Sequence, residues 1–195
     1  MNVSDLSAAS LARPLLDFTF RFRVPLTWIV AIAGFILARP TKASIIVGAA
    51  LAAIGLGWRA WAAGTIRKNS ELATAGPYAL SRHPLYFGNL MLAGGFAAAS
   101  GRVAVLAAVV ALAAAVYLPL IVEEETVMLE LFGERYREYM HAVPRLMPIL
   151  RGAARSQSGQ QFSWRQYMAN HEYNAVLGYC AAVAALVALH LLHQR

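Results

Sequence analysis

The sequence predicts an all-α, polytopic integral membrane protein with about five transmembrane helices and a cytosolic amphipathic helix. Three observations carry that reading. Of 195 residues, 59% are apolar and 14% charged, too few charges to cover a water-facing surface and too apolar for disorder. The apolar residues fall into runs near the length that crosses a bilayer, about 20 residues at ~1.5 Å each. The charges collect between those runs, so the net charge of +7 points to membrane topology and not to nucleic acid.

The chain reads as a single membrane domain, 1–195. It opens on a polar-to-amphipathic lead, Leu6 to Phe22, with Leu11, Leu15, Phe18 and Phe22 at near-helical spacing between Arg13, Arg21 and Arg23. This segment suits a helix lying flat at the interface. It lacks the small-x-small site of a cleaved signal peptide, so the N-terminus is expected to stay. Apolar runs follow at 24–38, 45–64, 85–100 and 103–122, and a last one at 173–192. The runs at 24–38 and 85–100 are short for a span and must borrow flanking residues or thin the bilayer. Gly48, Gly55, Gly57, Gly94 and Gly95 allow close backbone approach between spans.

Five spans place thirteen of the seventeen basic residues on the side of the N-terminus and four (Arg39, Lys42, Arg102 and Arg195) on the other, with all ten acids on the richer side. The positive-inside rule then puts the N-terminus in the cytosol and the C-terminus outside. Connections on the outer side are short, Ser100-Gly101-Arg102 being a tight hairpin. The cytosolic segments 65–84 and 123–148, with the linker 149–172, are long and rich in titratable groups, so a functional site belongs there.

Two constellations stand out. At the mouth of the third span, Gly76-Pro77-Tyr78 precedes Ser81-Arg82-His83-Pro84-Leu85-Tyr86-Phe87-Gly88. The prolines fix φ and stiffen the approach to a helix N-terminus, which favours anions. Arg82 can fork onto a carboxylate or phosphate, His83 and Tyr86 can donate hydrogen bonds, and Gly88 leaves room at the backbone. An interfacial anchor would also use Arg, Tyr and Pro here, but residue by residue rather than as a cluster. After the fourth span comes Glu123-Glu124-Glu125, three carboxylates at the membrane boundary. Met128, Leu129, Phe132, Tyr136, Tyr139 and Met140 then repeat as one apolar face opposite Glu130, Glu134, Arg137, Glu138 and His141, predicting an amphipathic helix ended by Val143-Pro144-Arg145 and Pro148.

In order and spacing, GPYxxSRHPxYxG, EEE and FGxxYxxYxxxVPRxxP, spanning Gly76 to Pro148, resemble the isoprenylcysteine carboxyl methyltransferase family and its relatives among membrane phospholipid methyltransferases. The resemblance implies S-adenosyl-L-methionine as cofactor and a membrane lipid or lipidated molecule as methyl acceptor. It implies that Tyr78, Arg82, His83, Tyr86, Gly88, Glu124 and Glu125 line the cofactor site, with Arg145 near the acceptor. The chemistry of these residues agrees. Arg82, His83 and Tyr86 suit the cofactor's carboxylate, Glu124 or Glu125 its ammonium or ribose, and Leu90, Met91 and Phe132 could flank adenine. Arg145 would hold a carboxylate acceptor, whereas Glu125 would take the proton of an amine acceptor. Both acceptor classes stay open. Family members end soon after the closing proline segment, whereas here an aromatic-rich stretch and a fifth span follow.

Other classes fare worse. Cys180, the one cysteine, excludes an intramolecular disulfide, and the five histidines lack metal-ligand spacing. No glycine-rich dinucleotide fingerprint occurs. A sterol-type reductase would need a phosphate-binding basic cluster beyond Arg82, and a transporter would show internal repeats, which are not evident; a non-enzymatic scaffold stays possible. The sequence does not reveal the oligomeric state.

Overall fold

The computed structural model describes residues 24–67, 71–149 and 161–194. The amphipathic lead at Leu6 to Phe22 lies outside them. Every regular element among the described residues is helical: α1 (Val24–Leu37), α2 (Lys42–Thr65), a 3₁₀ turn (Gly76–Ala79), α3 (Pro84–Ala99), α4 (Val103–Phe132), α5 (Glu134–Ala142), α6 (Trp164–Ala169) and α7 (Tyr173–His193). Three of these, α2, α4 and α7, are long and apolar enough to cross a membrane. The other two expected spans are shorter helices, α3 with 16 residues and α1. Trp28, Ile32, Ile36, Ile46, Val110, Leu118 and Leu177 are all exposed, as a lipid-facing surface requires. The chain is an integral membrane protein.

The spine is the α2–α3 pair. Gly48 and Gly55 on α2 meet Gly95 and Gly88 on α3, and a Cβ at Gly95 would lie 2.5 Å from the Ala52 nitrogen. Small residues thus bring the two backbones together where lipid offers no hydrophobic drive for association. α2 begins with a reciprocal cap, in which Thr41 Oγ1 accepts from the Ser44 amide (3.1 Å) and Ser44 Oγ from the Thr41 amide (2.9 Å).

One end of the bundle is a hairpin end. The Arg39 amide donates to the Ser100 carbonyl (2.8 Å), Ser44 Oγ to the Ala99 carbonyl (3.1 Å), and His190 Nδ1 lies 2.8 Å from the Pro40 carbonyl. Gly101 turns there at φ +69°, and a Cβ on it would meet the Arg39 carbonyl.

The opposite end is polar. α4 does not stop at the acidic triplet but runs 30 residues from Val103 to Phe132. The expected amphipathic helix is therefore split: its first residues continue α4, and Gly133, at φ +55°, turns the chain into α5. The apolar face survives the break, with Tyr136 and Tyr139 buried and Glu134, Arg137, Glu138 and His141 exposed. The segment after residue 160 packs on the polar end of α2. The Ser163 amide donates to the Gly64 carbonyl (2.9 Å), Asn170 Nδ2 donates to the Ala63 carbonyl (2.7 Å), and the Phe162 ring covers Gly64.

Candidate functional site

At the polar end, residues 80–83 run beside 144–149. The Arg82 amide donates to the Pro144 carbonyl (2.9 Å), the His83 amide to the Arg145 carbonyl (3.1 Å), the Ile149 amide to the Leu80 carbonyl (3.1 Å) and Ser81 Oγ to the Leu146 carbonyl (2.9 Å). Tyr139 closes the unit by donating its hydroxyl to the Tyr78 carbonyl (2.6 Å). These bonds bring together the two motifs, about sixty residues apart, by satisfying buried backbone groups outside any helix.

The acidic triplet separates because successive helix residues point about 100° apart. Glu123 is exposed, Glu124 half-buried and Glu125 buried. Glu125 is the hub of the site. Arg82 Nη2 (3.1 Å), His83 Nε2 (3.3 Å) and Arg145 Nε (3.3 Å) approach its Oε1, and Arg145 Nη2 approaches Oε2 at 2.7 Å. Such saturation satisfies a buried carboxylate and occupies it. Glu124, by contrast, lies 3.5 Å from His83 Nδ1 and reaches the cavity.

That cavity measures 850 Å³, and its wall includes Tyr78, Arg82, His83, Tyr86 and Glu124, five of the seven positions expected to line a cofactor site. The remaining two lie elsewhere. Glu125 sits behind the wall, held by Arg82, His83 and Arg145. Gly88 faces α2, where a Cβ would lie 2.6 Å from Arg59 Cγ, so its small size serves helix packing and not ligand approach. Arg145 is outside the wall, paired with Glu125. Of the three residues expected beside adenine, Phe132 lines the cavity, while Leu90 and Met91 do not, and Met91 packs toward Gly55.

The electrostatics suit a charged guest. Among the described residues, the buried Arg82 Nε and Nη1 and the Tyr78 hydroxyl have no hydrogen-bond partner. Leaving buried donors unpaired is costly, and here they belong to cavity-lining side chains. Burial holds the Tyr78 hydroxyl protonated well above the usual phenol range, helped by the charges of Glu124 and Glu172. Burial, with Glu125 adding to it, pushes Tyr136 up to about 12. A stacked column of rings, His83 on Tyr86 (centroids 5.6 Å apart) and Tyr86 on Tyr117 (5.1 Å), leads from the hub toward the membrane helices.

Sequence reasoning missed Arg59, Asn89, Asn170 and Glu172, all in the same wall. Arg59 carried a signal: it stands inside an apolar run, where an ionisable residue is a functional candidate by default. Glu172, 113 positions away, gave none beyond its place before the last span.

An all-helical membrane protein with a polar cavity at one end of its spine, walled by an Arg-His-Pro segment and an acidic helix, defines the class. The phospholipid methyltransferase family model matches residues 41–135, which carry both the spine and the cavity's main wall. The chain is 34% identical to the cobalt-zinc-cadmium resistance protein CzcN of Cupriavidus metallidurans, over 76% of this chain and 74% of that one. It is 33% identical to the nickel-cobalt-cadmium resistance protein NccN of Alcaligenes xylosoxydans xylosoxydans, over 77% and 76%. The chain belongs to the phospholipid methyltransferase family. No solved structure matches it.

Proposed function

We propose that the protein transfers a methyl group from S-adenosyl-L-methionine to a lipidic acceptor at the cytosolic membrane face, in the manner of isoprenylcysteine carboxyl methyltransferases. The observation that carries this reading is the pairing, in one wall, of unpartnered Arg82 donors and the Tyr78 hydroxyl with the carboxylate of Glu124. A zwitterionic amino-acid moiety asks for that donor set: guanidinium N–H groups for its carboxylate and an acidic oxygen for its ammonium. Phe132, Met128 and Leu131 give the apolar lining an adenine needs. The cofactor supplies an electrophilic methyl group, and the protein supplies orientation and exclusion of water.

Within this reading Glu125 is an organiser. It fixes Arg82 for the cofactor and turns Arg145 toward the rim, where Arg145 retains 49% of its side-chain exposure and can steer an acidic acceptor. Phospholipid amine methylation is the second reading, favoured by the family's description and by Glu124 and Glu172 in one cavity, which suit an amine. The relatives' names attach those proteins to cobalt, zinc, nickel and cadmium resistance, which speaks to a setting and not to an acceptor.

The test is incubation of the protein in nanodiscs with methyl-labelled cofactor and a total lipid and protein extract, followed by identification of the labelled species. A labelled lipid or lipidated carboxyl ester is expected. Folded protein that labels nothing contradicts the reading.

A further inference from the structure

A second cavity, apolar and 420 Å³ in volume, lies between α1, α3, α4 and α7, lined by residues such as Val30, Leu92, Val109 and Leu186. Along α3 its lining runs from Asn89 to Ser100, ~16 Å at ~1.5 Å per residue. Asn89 lines the polar cavity as well, so the two spaces share that wall residue. A chain of polar groups marks the boundary. Tyr117 and Asn89 both line the apolar cavity, Arg59 Nη1 donates to Asn89 Oδ1, and Arg59 Nε and Nη2 lie 2.6 and 2.5 Å from Glu172 Oε1. The four side chains come from four separate stretches of the chain: α2, α3, α4 and the residue that caps α7.

A nearly buried ion pair at this depth is costly to desolvate. The residue before its acidic member holds an unfavourable backbone conformation. His171, immediately before Glu172, has φ +54°, and it is the non-glycine residue in the left-handed region among those described. Arg59 keeps 20% of its side-chain exposure against 7% for Glu172. The cation is thus the more accessible partner, and the acid is the one brought in by a strained segment.

We propose that Arg59 anchors the anionic head, a carboxylate or a phosphate, of a membrane amphiphile whose apolar chain fills the α1–α3–α4–α7 cavity, and that Glu172 occupies that anchor until the head displaces it. Naming this amphiphile as the methyl acceptor rests on the methyl-transfer reading; the anchor itself does not. With its head on Arg59, the amphiphile lies in the same cavity as Arg82 and Glu124, and its tail extends past Asn89 and Tyr117 among the membrane helices. Glu172 then acts as a positioning residue that competes with the ligand, a role with a sign opposite to that of a structural salt bridge.

The test measures binding of oleate, dioleoyl phosphatidic acid and oleyl alcohol to the full-length protein in detergent, by native mass spectrometry. The wild type should hold at least one anionic amphiphile about tenfold more tightly than the alcohol, the scale of one charge-assisted pair. Which anion wins separates a carboxylate head from a phosphate head. Glu172→Gln should tighten anion binding several-fold by removing the competitor, and Arg59→Gln should erase the preference over oleyl alcohol. A wild type indifferent to the head's charge overturns the proposal without any variant. So does Glu172→Gln weakening anion binding, or Arg59→Gln leaving the preference over oleyl alcohol intact. Charge-dependent amphiphile binding through Arg59 by a protein that never binds S-adenosylhomocysteine would retire the methyl-transfer reading and leave the anchor in place.

Discussion

The two ends of the α2–α3 spine are held by different physics. At the hairpin end the ties are largely neutral: Arg39 and Ser44 reach backbone carbonyls of residues 99 and 100, and glycines set the approach of the helices. At the polar end the ties are ionic, with Arg82, His83 and Arg145 converging on Glu125 and Arg59 pairing with Glu172. The hairpin end leaves little for a ligand to do. The polar end leaves Arg82 and Tyr78 donors unpartnered in an 850 Å³ cavity, a cost that makes sense where a guest completes the bonding.

The largest expected effect comes from the hub. Glu125→Ala strands the Arg82 and Arg145 guanidiniums and the His83 ring and should lower stability by about 3–5 kcal/mol, read as thermal unfolding in detergent. Glu124→Ala, next in sequence but half-exposed, should cost far less stability while weakening cofactor binding. Equal losses of stability in the two would dissolve the distinction between a buried hub and a cavity wall. Gly95→Leu drives a side chain into the α2 backbone and should cost about 3 kcal/mol or more. Ser44→Ala removes two neutral bonds at the hairpin end, from the Thr41 amide and to the Ala99 carbonyl, and should cost about 2 kcal/mol. A loss as large as that of Glu125→Ala would break the comparison between the ends.

The smallest effect is alkaline. Tyr136 rises from 10.0 to about 12 in the folded protein, so between those values the unfolded chain has lost a proton that the native state keeps. Its contribution is complete below pH 10 and fades as pH climbs through about 12. Tyr136→Phe should therefore flatten the fall in melting temperature across that window, and an unchanged slope would contradict the assignment.

Much of the fold was legible because apolar runs and prolines mark helices directly: Pro84 starts α3, and the hairpin at Ser100-Gly101-Arg102 lies where the sequence places it. The Tyr136 and Tyr139 face of α5 was legible from spacing. The acidic triplet was not, because deciding which glutamate is buried requires knowing that α4 continues past residue 122 with its phase intact. Gly88 misled for a related reason: a glycine beside a ligand and a glycine beside a helix look the same in sequence. Arg59 was visible as an oddity in an apolar run, but its partner Glu172 is brought to it only by the docking of the C-terminal segment on α2.

The polar cavity should bind S-adenosyl-L-methionine through donors held ready by Glu125. Titration of S-adenosylhomocysteine into the protein in nanodiscs, followed by calorimetry, tests it most directly, with Arg82→Gln as the paired variant. The wild type should bind saturably and the variant should lose about tenfold or more in affinity, the scale of a charge-assisted contact. No binding by folded wild type, or equal affinity in the two, would contradict it.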